Sequence, residues 1–328
     1  MTDEDRNLLK VGLAQIAPVW LARDATLTKV IDWVAQAAAQ GCGLVAFGEA
    51  LAPGYPFWIE HTDGARFDSP LQKDIHAHYL DQAVQIEAVQ IEAGHLDRVC
   101  AAAADLGITI MLGIIERPAD RGGHSVYCSR VHIGADGQVA SVHRKLMPTY
   151  EERLSWAPGD GHGLQVHRVG AFTVGGLNCY ENWMPLSRAA LYAQGEDLHV
   201  ALWPGNLRNT EDTTRFLARE GRSYVLSVSG LMRREDVPAD SPAAVMLESC
   251  PDVLANGGSC LAGPDGAWVI APVIGREALL TATLDHRAVR RERQNFDQAG
   301  HYSRPDVTRL VVDRQRQSIA SFRDESAP

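Results

Sequence analysis

From residue 8 to about residue 290 the chain alternates short apolar runs of strand length with stretches whose apolar residues recur at helical spacing. No other feature constrains the fold as much, because runs of about four to eight apolar residues suit buried strands and a period of about 3.6 suits helices with one covered face. Val11 to Ile16 reads as the first strand, closed by Pro18. Asp24 is placed to cap a helix that buries Leu27, Val30, Ile31, Val34 and Ala38 and ends at Gly41. Leu44 to Phe47 is a second strand, after which the proline-rich ALAPGYPFW makes a rigid loop with Glu49 on its rim. Residues 60 to 80 are polar and read as an irregular surface excursion. The tandem QIEAVQIEA, 85 to 93, reads as local helix, continued by Leu96, Val99, Cys100 and Ala103 as far as Gly107.

Ile108 to Ile115 follows as a strand, and Ser125 to Ile133 as another. The Asp136-Gly137 turn joins the latter to Val139 to Arg144, a strong hairpin signal, and delivers Lys145 at the strand end. MPTYEERLSWAPGDGHG, which carries Glu151 and Glu152, reads as a long loop or short helix. Leu164 to Val169 pairs with Phe172 to Leu177 just ahead of Cys179, and Pro185 opens a helix that stops at Gly195. Leu198 to Trp203 is a strand that enters a WPGN turn. Thr210 is the N-cap candidate of the next helix, with Glu211 and Asp212 in its first turn, Phe216 and Leu217 on its apolar face and Gly221 at its end. Strand Tyr224 to Met232, a hairpin from Ser259 to Ile270 and strand Leu279 to Leu284 complete the regular part.

Such an order predicts a layered α/β fold with mixed sheets. No low-complexity linker divides it, so one domain over residues 8–290 is expected, with 291–328 as a C-terminal tail that packs on a neighbouring surface. The balance of 41 acidic against 31 basic residues, a net charge of −10, argues against a nucleic-acid-binding surface. Six cysteines without a C-x-x-C pair read as reduced thiols, and the acidic, polar MTDEDRNLLK start is unlike a signal or transit peptide. The longest apolar stretches are of strand or helix length, too short for a bilayer, so a cytoplasmic protein without membrane contact is expected.

Three chemically able residues stand at three predicted strand ends: Glu49, Lys145 and Cys179. Taken singly, each has an ordinary explanation, as a solvated carboxylate, a surface cation and a buried structural thiol. Taken together they meet a need. A thiol is a weak nucleophile until a base takes its proton, and a carboxylate in a partly desolvated pocket has the raised pKa for that task. An ammonium, here Lys145 together with the backbone N–H of Tyr180, would stabilise the negative charge that then develops, and Glu152 would hold substrate or tune the lysine.

FGEALAPGYPFW around Glu49, HRKLMPTYEERLSWAPGDG around Lys145 and GLNCYENWMPLSR around Cys179 resemble, in order, the three signature blocks of the nitrilase superfamily of carbon-nitrogen hydrolases. GHYSRPDV at 300–307 resembles the nitrilase branch in particular. The resemblance spans nearly the whole chain. It implies a four-layer αββα sandwich, a Glu-Lys-Cys triad of Glu49, Lys145 and Cys179 with Glu152 as the second glutamate, and homo-oligomers, dimers or larger and in some cases spirals. Association would use surfaces near the nucleophile helix and the tail. One departure is Tyr180, where the family pattern has tryptophan directly after the cysteine.

The activity so implied is hydrolysis of a small organic nitrile to a carboxylic acid and ammonia through a Cys179 thioimidate and thioester, with no metal or organic cofactor. An amidase or carbamoylase using the same triad, a cyanide-processing member, or a silent scaffold are the alternatives. Tyr55, Trp58, Tyr180 and Trp203 are the expected substrate-wall residues, with Asn206 and Trp183 behind them. His76 and His78 lack a third metal-ligand motif, and the glycines of GDGHG and NGGS fit turns better than a phosphate cradle.

Overall fold

The computed structural model describes residues 5–86 and 94–320. In chain order its strands and helices are β1 (Leu8–Gln15), α1 (Arg23–Ala39), β2 (Leu44–Phe47), α2 (Trp58–His61), α3 (Pro70–Gln82), α4 (Asp97–Leu106), β3 (Thr109–Glu116), β4 (Tyr127–Ile133) and β5 (Val139–Arg144). There follow β6 (His167–Val169), β7 (Phe172–Asn178), α5 (Pro185–Tyr192), β8 (Leu198–Trp203), α6 (Leu207–Gly221), β9 (Tyr224–Ser229) and β10 (Leu231–Arg233). The last are β11 (Val253–Ala262), β12 (Trp268–Ile274), β13 (Ala278–Asp285) and α7 (His286–Arg293).

Two sheets result. The first runs β13-β1-β2-β3-β4-β5 and the second β10-β11-β9-β8-β7-β6, with β12 paired to β11. Each has a parallel centre, β1-β2-β3 and β7-β8-β9, flanked by antiparallel strands. A parallel centre needs cover on both faces, which is why β2 is apolar at every position. Leu44 and Ala46 point toward the other sheet, packing with Val200, Leu202 and Val228, whereas Val45 and Phe47 pack beneath α1 and α4 against Val30, Val34, Val99 and Ala103. Outside the second sheet, α5 covers Leu177 with Leu191, and α6 covers Val225 with Leu217 and Ala218. The layers are therefore helix, sheet, sheet, helix, the four-layer αββα sandwich with mixed sheets.

Several local expectations are corrected. Residues 60–80 are not a surface excursion: α2 and α3 occupy most of that stretch, and α3 buries Ile75 and Tyr79, four residues apart on one face. Asp24 lies inside the first turn of α1 and pairs with Arg23 at 2.8 Å instead of capping the helix. The helix after the WPGN turn starts three residues before Thr210, whose buried hydroxyl donates to the Gly258 carbonyl at 2.7 Å, and Phe216 is exposed. The single strand 224–232 is two, divided at Gly230, where any Cβ would stand 2.6 Å from the Pro204 carbonyl oxygen. The repeat at 85–93 lies largely outside the described residues.

Beyond α7, residues 295–320 form no helix or strand. They run back along their own chain, where Arg316 pairs with Asp160 at 3.0 Å and donates to the Val142 carbonyl at 3.2 Å. No helix among the described residues is long and apolar enough to cross a membrane.

Candidate active site

The carboxyl ends of β2, β5, β7 and β8 converge on one side of the sandwich. Glu49 follows β2, and its N–H donates to the carbonyl of Trp203, the last residue of β8, at 3.1 Å. The two sheets are thus joined at the base of the Glu49 side chain. Its backbone runs so close to β3 that a Cβ on Gly113 would lie 2.2 Å from the Gly48 carbonyl oxygen and 2.7 Å from the Glu49 Cα. Glycine at 113 is what lets Glu49 sit there. The carboxylate expected on a loop rim is buried.

Lys145 follows β5, and its Nζ donates to Glu49 Oε1 and to Glu152 Oε2, both at 2.7 Å, with all three side chains buried. The ammonium also lies 5.3 Å from the centre of the Trp156 ring. The Cys128 thiol donates to Glu49 Oε1 at 3.2 Å, while Glu49 Oε2 is buried and has no partner. Glu152 Oε2 accepts from the Thr149 N–H at 2.6 Å, and Oε1 lies 3.0 Å from the Tyr55 hydroxyl.

Cys179 opens a 3₁₀ turn, Cys179–Trp183, with φ of 46°. A non-glycine residue in this left-handed region is strained by about 1–2 kcal/mol and persists only where its surroundings hold it. Here Glu181 does much of the holding. Its carboxylate accepts from the N–H of Asn178, one residue before the cysteine, at 3.0 Å, and from the N–H of Leu146, one residue after the lysine, at 2.7 Å. His143 Nε2 lies 3.0 Å from the same carboxylate. Asn182 donates to the Cys179 carbonyl at 2.8 Å and is itself fixed by His199 at 2.7 Å.

A donor atom from each of Glu49, Glu152 and Cys179 lies within 4.8 Å of the other two, the only such group of three metal-binding side chains among the described residues. The Lys145 ammonium already stands between the two carboxylates and supplies the positive charge a cation would bring. Burial pushes Glu49 up to about 7, with Lys145 pulling down and Glu152 pushing up. Burial also pushes the Cys179 thiol well above its ordinary value, against the pull of Lys145. For Lys145 burial acts against the charge, but Cys179, Glu49 and Glu152 outweigh it and hold the ammonium. The resting site therefore has a protonated thiol beside a carboxylate poised to accept its proton.

Cys179 opens into a cleft of about 350 Å³ walled by Tyr55, Glu152, Pro204, Asn206 and Ala255. Of the four expected substrate-wall aromatics, only Tyr55 is placed on that cleft. Trp58 is buried behind it, edge-on to Tyr79 with ring centres 4.7 Å apart. The buried Trp203 indole donates to Ser227 at 3.1 Å. Tyr180 is exposed beside Cys179. Sequence reasoning passed over Cys128, His143, Trp156 and Asn182. The bracing role of Glu181 was missed as well, although Asn178-x-x-Glu181, like Thr149-x-x-Glu152, matches the capping-box pattern of a helical turn.

The family model for carbon-nitrogen hydrolases matches residues 10–294. The chain belongs to the carbon-nitrogen hydrolase family. Among curated relatives of this hydrolase, a nitrilase of Pseudomonas syringae is 37% identical over 92% of this chain and 89% of its own. "Nitrilase 2" from an unknown prokaryotic organism is 35% identical over 96% and 95%. A bifunctional nitrilase/nitrile hydratase of Lupinus angustifolius is 32% identical over 95% and 88%. Among solved structures, a carbon-nitrogen hydrolase of Helicobacter pylori superposes with a TM-score of 0.66 over 89% of this chain and 94% of that one, at 17% identity. An amidase of Nesterenkonia sp. gives 0.62 over 88% and 94%, at 18% identity. The hydrolase is thus of nitrilase type by its relatives and shares the sandwich fold with more distant ones.

Proposed function

We propose that this carbon-nitrogen hydrolase is a nitrilase whose nucleophile is Cys179. The free Glu49 Oε2 accepts the thiol proton, and the sulfur attacks the nitrile carbon to form a thioimidate. Lys145 stabilises charge on the nitrogen, which takes up the proton that Glu49 received and so frees Glu49 to act as a base again. A water activated by Glu49 adds to the thioimidate carbon, ammonia departs and leaves a thioester, and a second water releases the acid. These steps call on no group beyond the side chains named. One observation carries the reading: a single buried ammonium bridges two carboxylates at 2.7 Å beside a half-buried thiol on a cleft, in a chain whose relatives are named nitrilases. Purified protein offered aliphatic, arylaliphatic and aromatic nitriles and the matching amides should release acid from at least one nitrile class, and Cys179→Ala should abolish this. Hydrolysis of amides without turnover of any nitrile would favour the amidase reading.

We further infer that copies of the chain associate through the face around the nucleophile turn, with the 291–328 tail alongside. Support for this comes from large apolar side chains left in water there: Tyr180 at 56% exposure, Trp183 at 50%, Leu186 at 67% and Phe216 at 58%.

A further inference from the structure

The Tyr55 hydroxyl lies 3.0 Å from Glu152 Oε1 and also 3.0 Å from Glu151 Oε1. A phenol has one proton to donate, and two ionised carboxylates offer only acceptors. Both contacts are full two-centre hydrogen bonds only if one carboxyl carries a proton, which Tyr55 accepts while donating its own to the other. Glu49 and Glu152 share the ammonium of Lys145, and Glu151 adjoins them on a cleft that Arg208 also lines, so a proton held between Glu151 and Glu152 relieves the surplus of negative charge. The phenol keeps its proton, because burial, the largest cause, pushes its pKa well above the ordinary value.

The arrangement has a direction. Glu151 is half-buried on the cleft, where water reaches it, whereas Glu152 is buried beside Lys145 and within 4.8 Å of Cys179. We propose that Glu151 and Tyr55 form a proton relay that recharges Glu152, and that Glu152 protonates the departing nitrogen, so that this pair sets whether the enzyme releases acid or amide. The proposal rests on the nitrilase reading and deepens it.

After the first water adds, the carbon holds sulfur, a hydroxyl and an amino group. Glu152 gives its proton to the amino nitrogen, the C–N bond pair leaves with ammonia, the oxygen lone pair closes the carbonyl, and the hydroxyl proton goes to Glu49. A thioester results. Glu151 then takes a proton from cleft water and passes it to Tyr55, as Tyr55 gives its own to Glu152. If Glu152 is not recharged, the amino group is the poorer leaving group. The C–S bond breaks instead, its pair stays on sulfur beside Lys145, and the product is an amide.

Tyr55→Phe removes one oxygen and leaves the ring against Trp156 and Phe57, at centre distances of 5.4 and 4.9 Å. Glu151→Gln removes the other end of the relay from a half-exposed position and serves if the first variant does not fold. Acid and amide from one nitrile are quantified for wild type, both variants and the double variant. The relay predicts that the amide-to-acid ratio rises roughly 10- to 100-fold in each single variant. It also predicts no further rise in the double, because both residues act in one chain. Loss of cleft shape alone would slow both products together. Ratios within about twofold of wild type in the variants overturn the relay, whereas a wild type that turns over no nitrile overturns the nitrilase reading instead.

Discussion

Glu49 and Glu181 are both fully buried carboxyl groups, and their partners drive them in opposite directions. Glu49 has one ammonium that it shares with Glu152, so burial wins and its proton is held up to about 7. As the base of the proposed mechanism it must be ionised, so kcat/KM should rise with pH through an apparent value near 7 that belongs to the coupled Glu49–Lys145–Glu152–Cys179 group. Glu49→Gln should remove this limb and lower kcat by about 10²–10⁴. Burial would raise Glu181 as well, but His143 and the N–H groups of Leu146 and Asn178 outweigh it and hold its pKa below 4.5. A depressed carboxyl adds stability that is fully present above its unfolded value and is lost as pH falls through the folded one. Thermal midpoints of Glu181→Gln should therefore lie below wild type at neutral pH and fall less steeply from about pH 4.5 downward. Because Glu181 braces the backbone beside both Lys145 and Cys179, the same variant should lose kcat more than substrate affinity. Gly113→Ala forces a methyl group into the backbone that carries Glu49, so activity should fall sharply even where the protein still folds.

The helix α3 illustrates how an element escapes a pattern search. Its sequence, PLQKDIHAHYLDQ, has few large apolar residues, so a helical stripe is faint. Two of them, Ile75 and Tyr79, nevertheless fill the floor behind the cleft: Tyr79 packs edge-on to Trp58, donates to the Gly54 carbonyl at 3.0 Å and accepts from the Trp156 indole at 3.2 Å. Ile75→Ala should cost about 2–5 kcal/mol in urea unfolding, a loss a surface excursion would not show. The start of α6 was misplaced for a related reason. Thr210 followed by two acidic residues looks like a cap, but the hydroxyl is spent inside on Gly258, and Asn206 at φ of 77° marks the true turn. By contrast β8 falls within the predicted limits, since an uninterrupted apolar run between turn residues has only one way to be buried in a parallel centre.

Across the molecule, the site belongs to both sheets. Glu49 and Lys145 hang from the first and Cys179 from the second, with the Glu49 N–H to Trp203 carbonyl bond at the junction. Sliding one sheet over the other would separate Glu49 from Cys179, so global stability and activity should fall together for core variants. The exposed apolar face around α5 gives the matching expectation for assembly. Leu186→Glu should shift wild-type oligomers toward smaller species in light scattering, and a wild type that is monomeric at all concentrations would remove the assembly inference.

The carboxylate, ammonium and thiol stand out in the sequence, because each follows an apolar run whose end is marked by turn residues, and strand ends are where backbone and side chains face open space. The alternation of runs likewise sufficed for a layered α/β chain. Convergence of those three ends was a different matter. It depends on which strands are neighbours and on two sheets facing each other, and such contacts link residues as distant as Glu49 and Lys145, 96 positions apart, that carry no periodic trace of one another. Trp58, Trp203 and Tyr55 looked alike in the chain as aromatics near a site. Packing alone sent the two indoles into the core and left the phenol between two carboxylates, where one hydroxyl cannot satisfy both without an added proton.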